Sequence, residues 1–229
     1  PADLAGLFDL SLDLLAIASV RDGRWLRVNP AFTRVLGWSE AELLQTPYLA
    51  MVHPDDRPHA TAAEATLAAG EPLEQFEQRV LCKDGSVRWI AWQTTPHAER
   101  GLVYCVGRDI TEARDRATRQ AHEQELLQKI FDTIPVLLVV WDPALQRFTV
   151  NREFTDVLGW TDADANSGDL MALVYPEPAY RQQVATYMQS LQPGWREWLC
   201  TARDRRAIPI DWSNVQLADR TMVGIGVDL

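Results

Sequence analysis

Two histidines and two aspartates stand close together in the segment HPDDRPH, where they could bind a divalent metal ion. They are His53, Asp55, Asp56 and His59, and imidazole and carboxylate groups are common metal ligands. The acids also precede a predicted helix, whose capping and dipole favour carboxylates without any metal. No GxSxG, P-loop, HExxH or GxGxxG motif indicates catalysis. The sequence therefore predicts neither a metal site nor an enzyme.

The composition of the chain excludes several other functions. Its 229 residues carry a formal net charge of −10 without a dense Lys/Arg cluster, which disfavours nucleic acids and anionic membranes. No apolar run approaches the roughly 20 residues that a membrane span needs. The three cysteines are odd in number and lack metal-binding spacing, which is typical of a reducing compartment. We expect a cytoplasmic protein with no nucleic-acid or membrane contact.

One segment of the sequence occurs twice. RVNPAFTRVLGWSEAE at 27–42 is matched by TVNREFTDVLGWTDAD at 149–164, which aligns Asn29 with Asn151. The two copies are about 120 residues apart, the usual size of one domain. Solenoid repeats recur at roughly 20 to 50 residues, so the spacing predicts two similar domains in tandem.

Both copies show the same predicted order of elements: two strands, several short helices and three strands. Alternating apolar residues and turn residues place strands in the first copy at 14–20, 25–28, 75–81, 87–95 and 102–106. The same signals place strands in the second copy at 136–140, 147–150, 195–201, 208–215 and 222–227.

Local residue types predict the helix starts of the first copy. Asn29 is expected to cap a short helix with Pro30 at its first position, and Ser39 and Glu42 form a predicted capping box. An alanine-rich helix is predicted at 58–69. The second copy has Pro176 and Glu177 before its equivalent helix, so the shared feature of HPDD is a proline and an acid rather than a set of metal ligands.

Four motifs in order resemble the PAS family of sensory domains: VNPAFTRVLGW, HPDD, KDGSVRWIAW and VGRDITE. The first and last recur in the second copy, and the resemblance covers nearly the whole chain. It implies an α+β fold with two PAS domains, each a five-stranded antiparallel sheet covered on one face by short helices, joined by a long helix. The implied bounds are 1–111 and 131–229 for the domains and 112–130 for the linker.

The linker carries apolar residues at heptad spacing. Asp109 to Glu112 has the pattern of a capped helix start, and six of eight heptad positions are apolar. These positions are Ile110, Ala113, Ala117, Leu127, Phe131 and Ile134. The helix either packs on its own domains or pairs with a second copy. Because similar PAS sensors usually act as dimers, we expect a homodimer through the linker or the N-terminal helices.

The linker also contains His122-Glu123, which is similar to the phosphoacceptor box of a histidine kinase but lacks its apolar residues and downstream proline. We therefore expect a regulatory sensor region without enzymatic activity. The resemblance implies a larger signalling protein, such as a sensor histidine kinase or a cyclic-dinucleotide enzyme, whose output domain is absent from this fragment.

Alignment with flavin-binding PAS domains implies which side chains face the cavity between sheet and helices. In the first copy they are Gln78, Val80, Ile90, Trp92, Thr94, Cys105 and Asp109. In the second copy they are Trp198, Cys200, Ile210, Trp212, Asn214, Gly224 and Asp228. Two indoles and a bulkier covering helix should fill the second cavity, so we expect the first domain to hold a ligand and the second to be closed.

The resemblance leaves three possibilities for the first domain: a flavin, another small molecule, or a cofactor-free module for dimerisation or partner docking. A flavin–cysteine adduct requires a cysteine before the covering helix, and residues 45–54 contain none. Haem requires an axial histidine, for which only His59 is available. Noncovalent FAD fits best, since Trp92 can pack on its rings while Gln78, Thr94 and Asp109 offer hydrogen bonds. The sequence thus predicts a sensor of redox state or of a small ligand.

Overall fold

The computed structural model describes residues 2–228, with the side chains of 2–4 excepted. The chain forms two compact units, one ending at Gln120 and the other beginning at Ala121. Each unit contains one five-stranded antiparallel sheet and a set of short helices, so the predicted α+β architecture is confirmed.

The first unit begins with helix α1 (Ala2–Leu10) and a hairpin of β1 (Leu14–Ser19) and β2 (Trp25–Val28). Four helices follow: α2 (Ala31–Leu36), α3 (Glu40–Gln45), α4 (Tyr48–Met51) and α5 (Arg57–Ala68), with a 3-10 turn at Pro54–Asp56. The sheet is completed by β3 (Leu73–Leu81), β4 (Val87–His97) and β5 (Leu102–Asp109). Its strand order is β2-β1-β5-β4-β3.

The second unit repeats this order after helix α6 (Thr111–Thr133), in which the division between the units falls. Its elements are β6 (Leu137–Asp142), β7 (Arg147–Val150), α7 (Arg152–Leu158), α8 (Asp162–Ser167), α9 (Leu170–Val174), α10 (Pro178–Ser190), β8 (Arg196–Thr201), β9 (Ala207–Gln216) and β10 (Met222–Asp228). The sheet order is β7-β6-β10-β9-β8, which matches that of the first unit.

All ten predicted strands are present, and the largest difference is in β5. This strand continues to Asp109 instead of ending at Val106, because it stays paired with β4 as far as Ile90. The predicted capping box of Ser39 and Glu42 is also confirmed.

Helix α6 is exposed to solvent along 112–130. Its exposed side chains include the predicted heptad residue Leu127 and also Leu126 and Ile130. Pairing with a second copy of the chain stays a prediction. In the described part of the chain, no helix is both long and apolar enough to cross a membrane.

A tryptophan and a glycine face each other across neighbouring strands in both sheets. Trp92 of β4 is opposite Gly107 of β5, and Trp212 of β9 is opposite Gly226 of β10. A β-carbon on Gly107 would lie 2.6 Å from Cζ3 of Trp92, which is closer than atoms can approach. The glycine is therefore required because the indole occupies the space above it.

Replacing Gly107 should destabilise the first unit. We expect Gly107→Ala to lower the free energy of unfolding by about 1–3 kcal/mol, since the indole must move out of a packed core. Gly168→Ala is the matched control, because Gly168 has an extended backbone with no heavy atom within 4 Å of an added β-carbon. Urea denaturation followed by tryptophan fluorescence measures both variants. An equal loss of the free energy of unfolding in both variants would contradict the argument that the Trp92 indole excludes a side chain at Gly107.

The asparagine of the repeated motif joins several segments instead of serving only as a helix cap. Oδ1 of Asn29 accepts from the amide of Leu15 at 3.0 Å, and Nδ2 donates to the carbonyls of Phe8 and Asp13 at 3.1 and 2.9 Å. The predicted cap of α2 by Asn29 is wrong, since Pro30 holds the cap position and no side chain bonds there. The side chain of Asn29 bonds the preceding segment instead.

Asn151 makes the same contacts in the second unit. Its Oδ1 accepts from the amide of Leu138 at 2.9 Å, and its Nδ2 donates to the carbonyls of Phe131 and Val136 at 3.0 and 2.8 Å. Asn151 also caps α7, because Oδ1 accepts from the amide of Phe154 at 3.0 Å. A single buried amide thus ties the end of α6 to the first strand and to the next helix.

Loss of this amide should be costly because its partners are shielded from water. We expect Asn151→Ala to lower the free energy of unfolding by about 2 kcal/mol or more, since several backbone groups lose their partners. Asn166→Ala is the matched control: the Asn166 amide bonds Phe148 and Asp162 but is exposed, so water replaces those bonds. Urea denaturation should show a much smaller loss for the control, and the reverse order would reject the argument.

Candidate functional site

A cavity of about 530 Å³ lies inside the first unit. Its wall is formed by the β1–β2 hairpin, the start of α4, one face of α5 and the inner face of β3, β4 and β5. Pockets for small molecules have volumes of roughly 300–1,000 Å³. The cavity is therefore large enough for a ligand.

Four of the seven predicted site residues line this cavity: Gln78, Trp92, Thr94 and Cys105. All four are more than nine-tenths buried. They are brought together because they alternate on the inner faces of three adjacent strands, in register at Thr94 and Cys105.

The other three predicted residues do not line the cavity. Val80 and Ile90 are buried in the hydrophobic core nearby. Asp109 lies on β5 beyond Gly107, where Oδ2 is 3.3 Å from Nη1 of Arg88 and Oδ1 accepts from the amide of Thr111 at 2.9 Å. Asp109 therefore belongs to the junction between the sheet and α6 rather than to the cavity wall.

Several wall residues were not predicted from the sequence. They are contributed by the hairpin, α4, α5 and the start of β3, and include Trp25, Tyr48, Glu64 and Phe76. Strand alternation could have indicated Trp25, which is buried on β2. The helical residues carry no comparable signal, because the packing of short helices on a sheet is decided by the whole unit.

Aromatic rings form one side of the cavity. The rings of Trp25 and Trp92 stack with centroids 6.0 Å apart and an angle of 28° between their planes. Tyr48 meets Trp25 edge to face at 5.9 Å. Packed rings of this kind provide a rigid apolar surface against which a flat ligand can lie.

Three buried donors of the wall have no hydrogen-bond partner in the described chain. Tyr48 donates its hydroxyl hydrogen to Oε1 of Gln78 at 3.2 Å, and burial raises the pKa of Tyr48 above its usual value. Within residues 2–228, no hydrogen bond is made by Nε1 of Trp25, Nε1 of Trp92 or Oγ1 of Thr94, although all three atoms are buried. A buried polar group without a partner is costly, so these atoms favour a ligand that presents acceptors.

Cys105 is part of the wall but is not a nucleophile. Burial raises the pKa of its thiol to about 12. The thiol therefore stays protonated near neutral pH and acts as a small apolar group.

Glu64 is the partly buried acid of the wall. Its Oε1 lies close to Gly23 in the hairpin turn, since a β-carbon there would be 3.0 Å away. Among residues 2–228 the carboxylate has no hydrogen-bond or ion-pair partner, and burial raises its pKa. Any donor or positive charge on a ligand would find its partner here.

The raised pKa of Glu64 makes stability depend on pH. The charged form costs more in the folded than in the unfolded chain, so stability should fall as pH rises from the usual carboxyl range through the raised pKa. Glu64→Gln removes this cost, and its melting temperature should exceed that of wild type increasingly as pH rises. Differential scanning fluorimetry at a series of pH values measures these melting temperatures. Glu74→Gln is the control, because Glu74 on β3 is exposed. A pH-independent difference would exclude the titration of Glu64.

The equivalent cavity of the second unit measures only about 50 Å³. Trp198, Trp212, Tyr175 and Met188 lie in its wall. By strand register, Trp198 stands opposite Ile210 as Gln78 stands opposite Ile90, so an indole replaces an amide. This space holds little more than one water molecule, whose share of liquid volume is about 30 Å³.

The histidines and acids of HPDDRPH have structural contacts. Nδ1 of His53 accepts from the amide of Asp55 at 3.3 Å, and Asp56 accepts from the amide of Arg79 at 2.8 Å. The guanidinium of Arg79 lowers the pKa of Asp56. The ring of His59 stacks on Phe76 at 4.8 Å. Nowhere in the described chain do three or more His, Cys, Asp or Glu side chains form a metal-binding group.

Comparison with known proteins identifies the first unit. Residues 26–107 match the family model described as the PAS fold. They contain the helices and most of the strands that form the cavity, whereas β1 and Trp25 precede them. The match assigns the PAS fold to these residues of the first unit. The second unit has the same strand order and hence a PAS-like architecture.

One curated relative is a neuronal PAS domain-containing protein 4-like of Danio rerio, which is 37% identical over 79 residues. The match covers 34% of this chain and 12% of that protein, so the chain spans a small part of the relative's length.

Solved structures are similar as well. A domain of the sensory box sensor histidine kinase/response regulator from Geobacter sulfurreducens is 25% identical, covering 47% of this chain and 92% of that one, with a TM-score of 0.43. The PAS domain of a Colwellia psychrerythraea protein is also 25% identical, covering 48% and 97%, with a TM-score of 0.43.

Proposed function

We propose that the chain is the sensory input region of a signalling protein such as a sensor histidine kinase, and that its first PAS domain binds a flavin, FAD, in the cavity. The observation that carries this proposal is a cavity of about 530 Å³ with stacked indoles and buried donors that lack partners. The isoalloxazine ring is flat, and its polar edge presents carbonyl oxygens and ring nitrogens as acceptors. The residues present therefore fit such a group.

Each wall residue has a role in this proposal. Trp25 and Trp92 provide the apolar surface, while Gln78 and Thr94 supply hydrogen bonds to the polar edge. Tyr48 holds the amide of Gln78 in place by its hydrogen bond to Oε1. When bound, a flavin supplies reversible electron transfer and visible absorption. Because Cys105 stays protonated and buried, the protein contributes no cysteine nucleophile from the wall to this chemistry.

A cofactor-free dimerisation or docking module is the second candidate. It is favoured by the exposed apolar side chains of α6, Leu126, Leu127 and Ile130, which a second copy could cover. The two functions differ in the visible spectrum, because a module without cofactor has no absorption beyond the aromatic bands. Both functions are compatible with a dimer, so the molecular mass in solution does not distinguish between them.

The test is binding of FAD to the full chain and to a variant with a filled cavity. We expect the purified protein, or the protein incubated with FAD, to retain the flavin spectrum after gel filtration. Ala63→Leu should weaken binding by about tenfold or more, because the added atoms would cost about 1–3 kcal/mol in the occupied cavity. Ala63 is buried in the wall of the cavity on α5.

Ala62→Leu is the matched control on the same helix, since Ala62 is exposed and outside the cavity wall. It should bind FAD as wild type does. Wild-type protein that retains no FAD would reject the flavin proposal. Equal weakening by both variants would show that FAD does not occupy this cavity.

A further inference from the structure

The first turn of α6 is fixed to the outer face of the sheet by one arginine. Nη2 of Arg114 lies 2.6 Å from Oε2 of Glu77 on β3, and its guanidinium lies over the ring of Trp89 on β4, 4.0 Å from the centroid. We call these three residues the Arg114 clamp. An arginine can make both contacts at once, because its planar group stacks on an aromatic ring while its edge bonds a carboxylate.

Backbone bonds at Trp89 join the same two elements. The carbonyl of Trp89 accepts from the amide of Ile110 at 2.9 Å, and its amide donates to Oγ1 of Thr111 at 2.9 Å. The start of α6 is thus held at Trp89 by backbone and side chain together. A displacement of Trp89, or of Arg79 opposite it on β3, would therefore displace the start of α6 as well.

Strand β3 carries the cavity residue between two outward-facing residues. Successive side chains of a strand point to opposite faces, so Gln78 lines the cavity while Glu77 and Arg79 face outward. Glu77 contacts α6 through Arg114, and Arg79 bonds Asp56 directly before α5, the helix over the cavity. Three consecutive residues therefore contact the linker helix, the cavity and the covering helix.

β3 is also an edge strand of the sheet: one side pairs with β4, and the other makes an isolated bridge between Val80 and Val52. The outer edge of β3 is held at Arg79 and Val80, where the carbonyl of Arg79 accepts from the amide of His53 at 2.9 Å. A strand held along one side and at these two residues can shift with less disruption than a central strand. A ligand that bonds Gln78 changes the forces on the middle of this strand. The clamp residue Glu77 is its immediate neighbour.

The second unit differs from the first at the aromatic residue of the clamp. By register, Leu199 and Pro209 take the places of Arg79 and Trp89, although Glu197 remains at the place of Glu77. The aromatic platform and the neighbouring arginine thus occur in the unit that has the large cavity.

We propose that the Arg114 clamp transmits the state of the cavity to α6, so that occupation of the cavity changes the stability of the first turns of the helix. This inference rests on the proposed function, in which the cavity binds FAD. The exposed ion pair is weak enough to break and re-form, which suits a contact that switches between two arrangements. The coupling between the two sites is reciprocal, so a substitution in the clamp changes both the effect of the cavity on α6 and the effect of α6 on the cavity.

The experiment measures amide hydrogen exchange of α6 in the full chain, with and without saturating FAD. In wild type we expect FAD to change the exchange rates of residues in the first turns of α6 by about fivefold or more. Glu77→Gln and Arg114→Gln should retain FAD with affinity changed by no more than about twofold, because both residues lie outside the cavity. Most of the FAD-dependent change in exchange should be lost in these variants.

Glu74→Gln is the matched control, since it removes the same charge from the same strand at a residue that has no ion pair in the described chain. It should respond to FAD as wild type does. A wild-type response retained in Glu77→Gln and Arg114→Gln would overturn the clamp. So would FAD binding to wild type without any change in α6, which leaves the proposed function intact. Absence of FAD binding, seen first in the visible spectrum, would overturn the proposed function and the clamp's role in it.

Discussion

The buried amide of one asparagine in each unit is the interaction on which the rest of the fold depends. Asn29 and Asn151 each connect the carbonyl end of the preceding helix with the first strand, and both side chains are almost completely buried. Because these backbone groups have no access to water, another residue type would leave them without partners. The repeat of this motif in the sequence is explained by the need to close each unit at the same point.

The same scaffold gives a cavity in one unit and a filled core in the other because of a few side-chain volumes. Gln78 corresponds to Trp198, and the alanines of α5 correspond to larger residues of α10. The buried polar atoms also differ between the units. Trp212 donates to Sγ of Cys200 at 3.3 Å, whereas the equivalent Trp92 has no partner in the described chain. Three such atoms lack partners in the first unit, and one, Nε1 of Trp198, lacks a partner in the described part of the second. Val80 occupies the position in the first unit that Cys200 occupies in the second. The first unit therefore has less packing and fewer satisfied buried polar atoms around its cavity, where a bound ligand could supply both kinds of contact.

Strand β3 of the first unit both lines the cavity and contacts elements outside it. Its inner face contributes Gln78 and Phe76 to the cavity, and its outer face contacts both α6 and the turn before α5. The alternation of a strand makes such a double role possible, since one backbone segment carries side chains into two environments. The proposed sensory function would use this connection, because a signal recognised in the core has to reach an element at the surface.

The sequence by itself determined the tandem organisation, all ten strands and the capping box of Ser39, because turn residues, alternation and capping are local properties. It also indicated Gln78, Trp92, Thr94 and Cys105, which line the cavity, since strand alternation fixes their face. Only the tertiary structure removed Asp109 from the cavity wall, added Trp25 and Tyr48 to it, and turned Asn29 from a helix cap into a link to Phe8. These placements depend on strand register and on how short helices pack across the sheet, which are set by contacts between residues far apart in the chain.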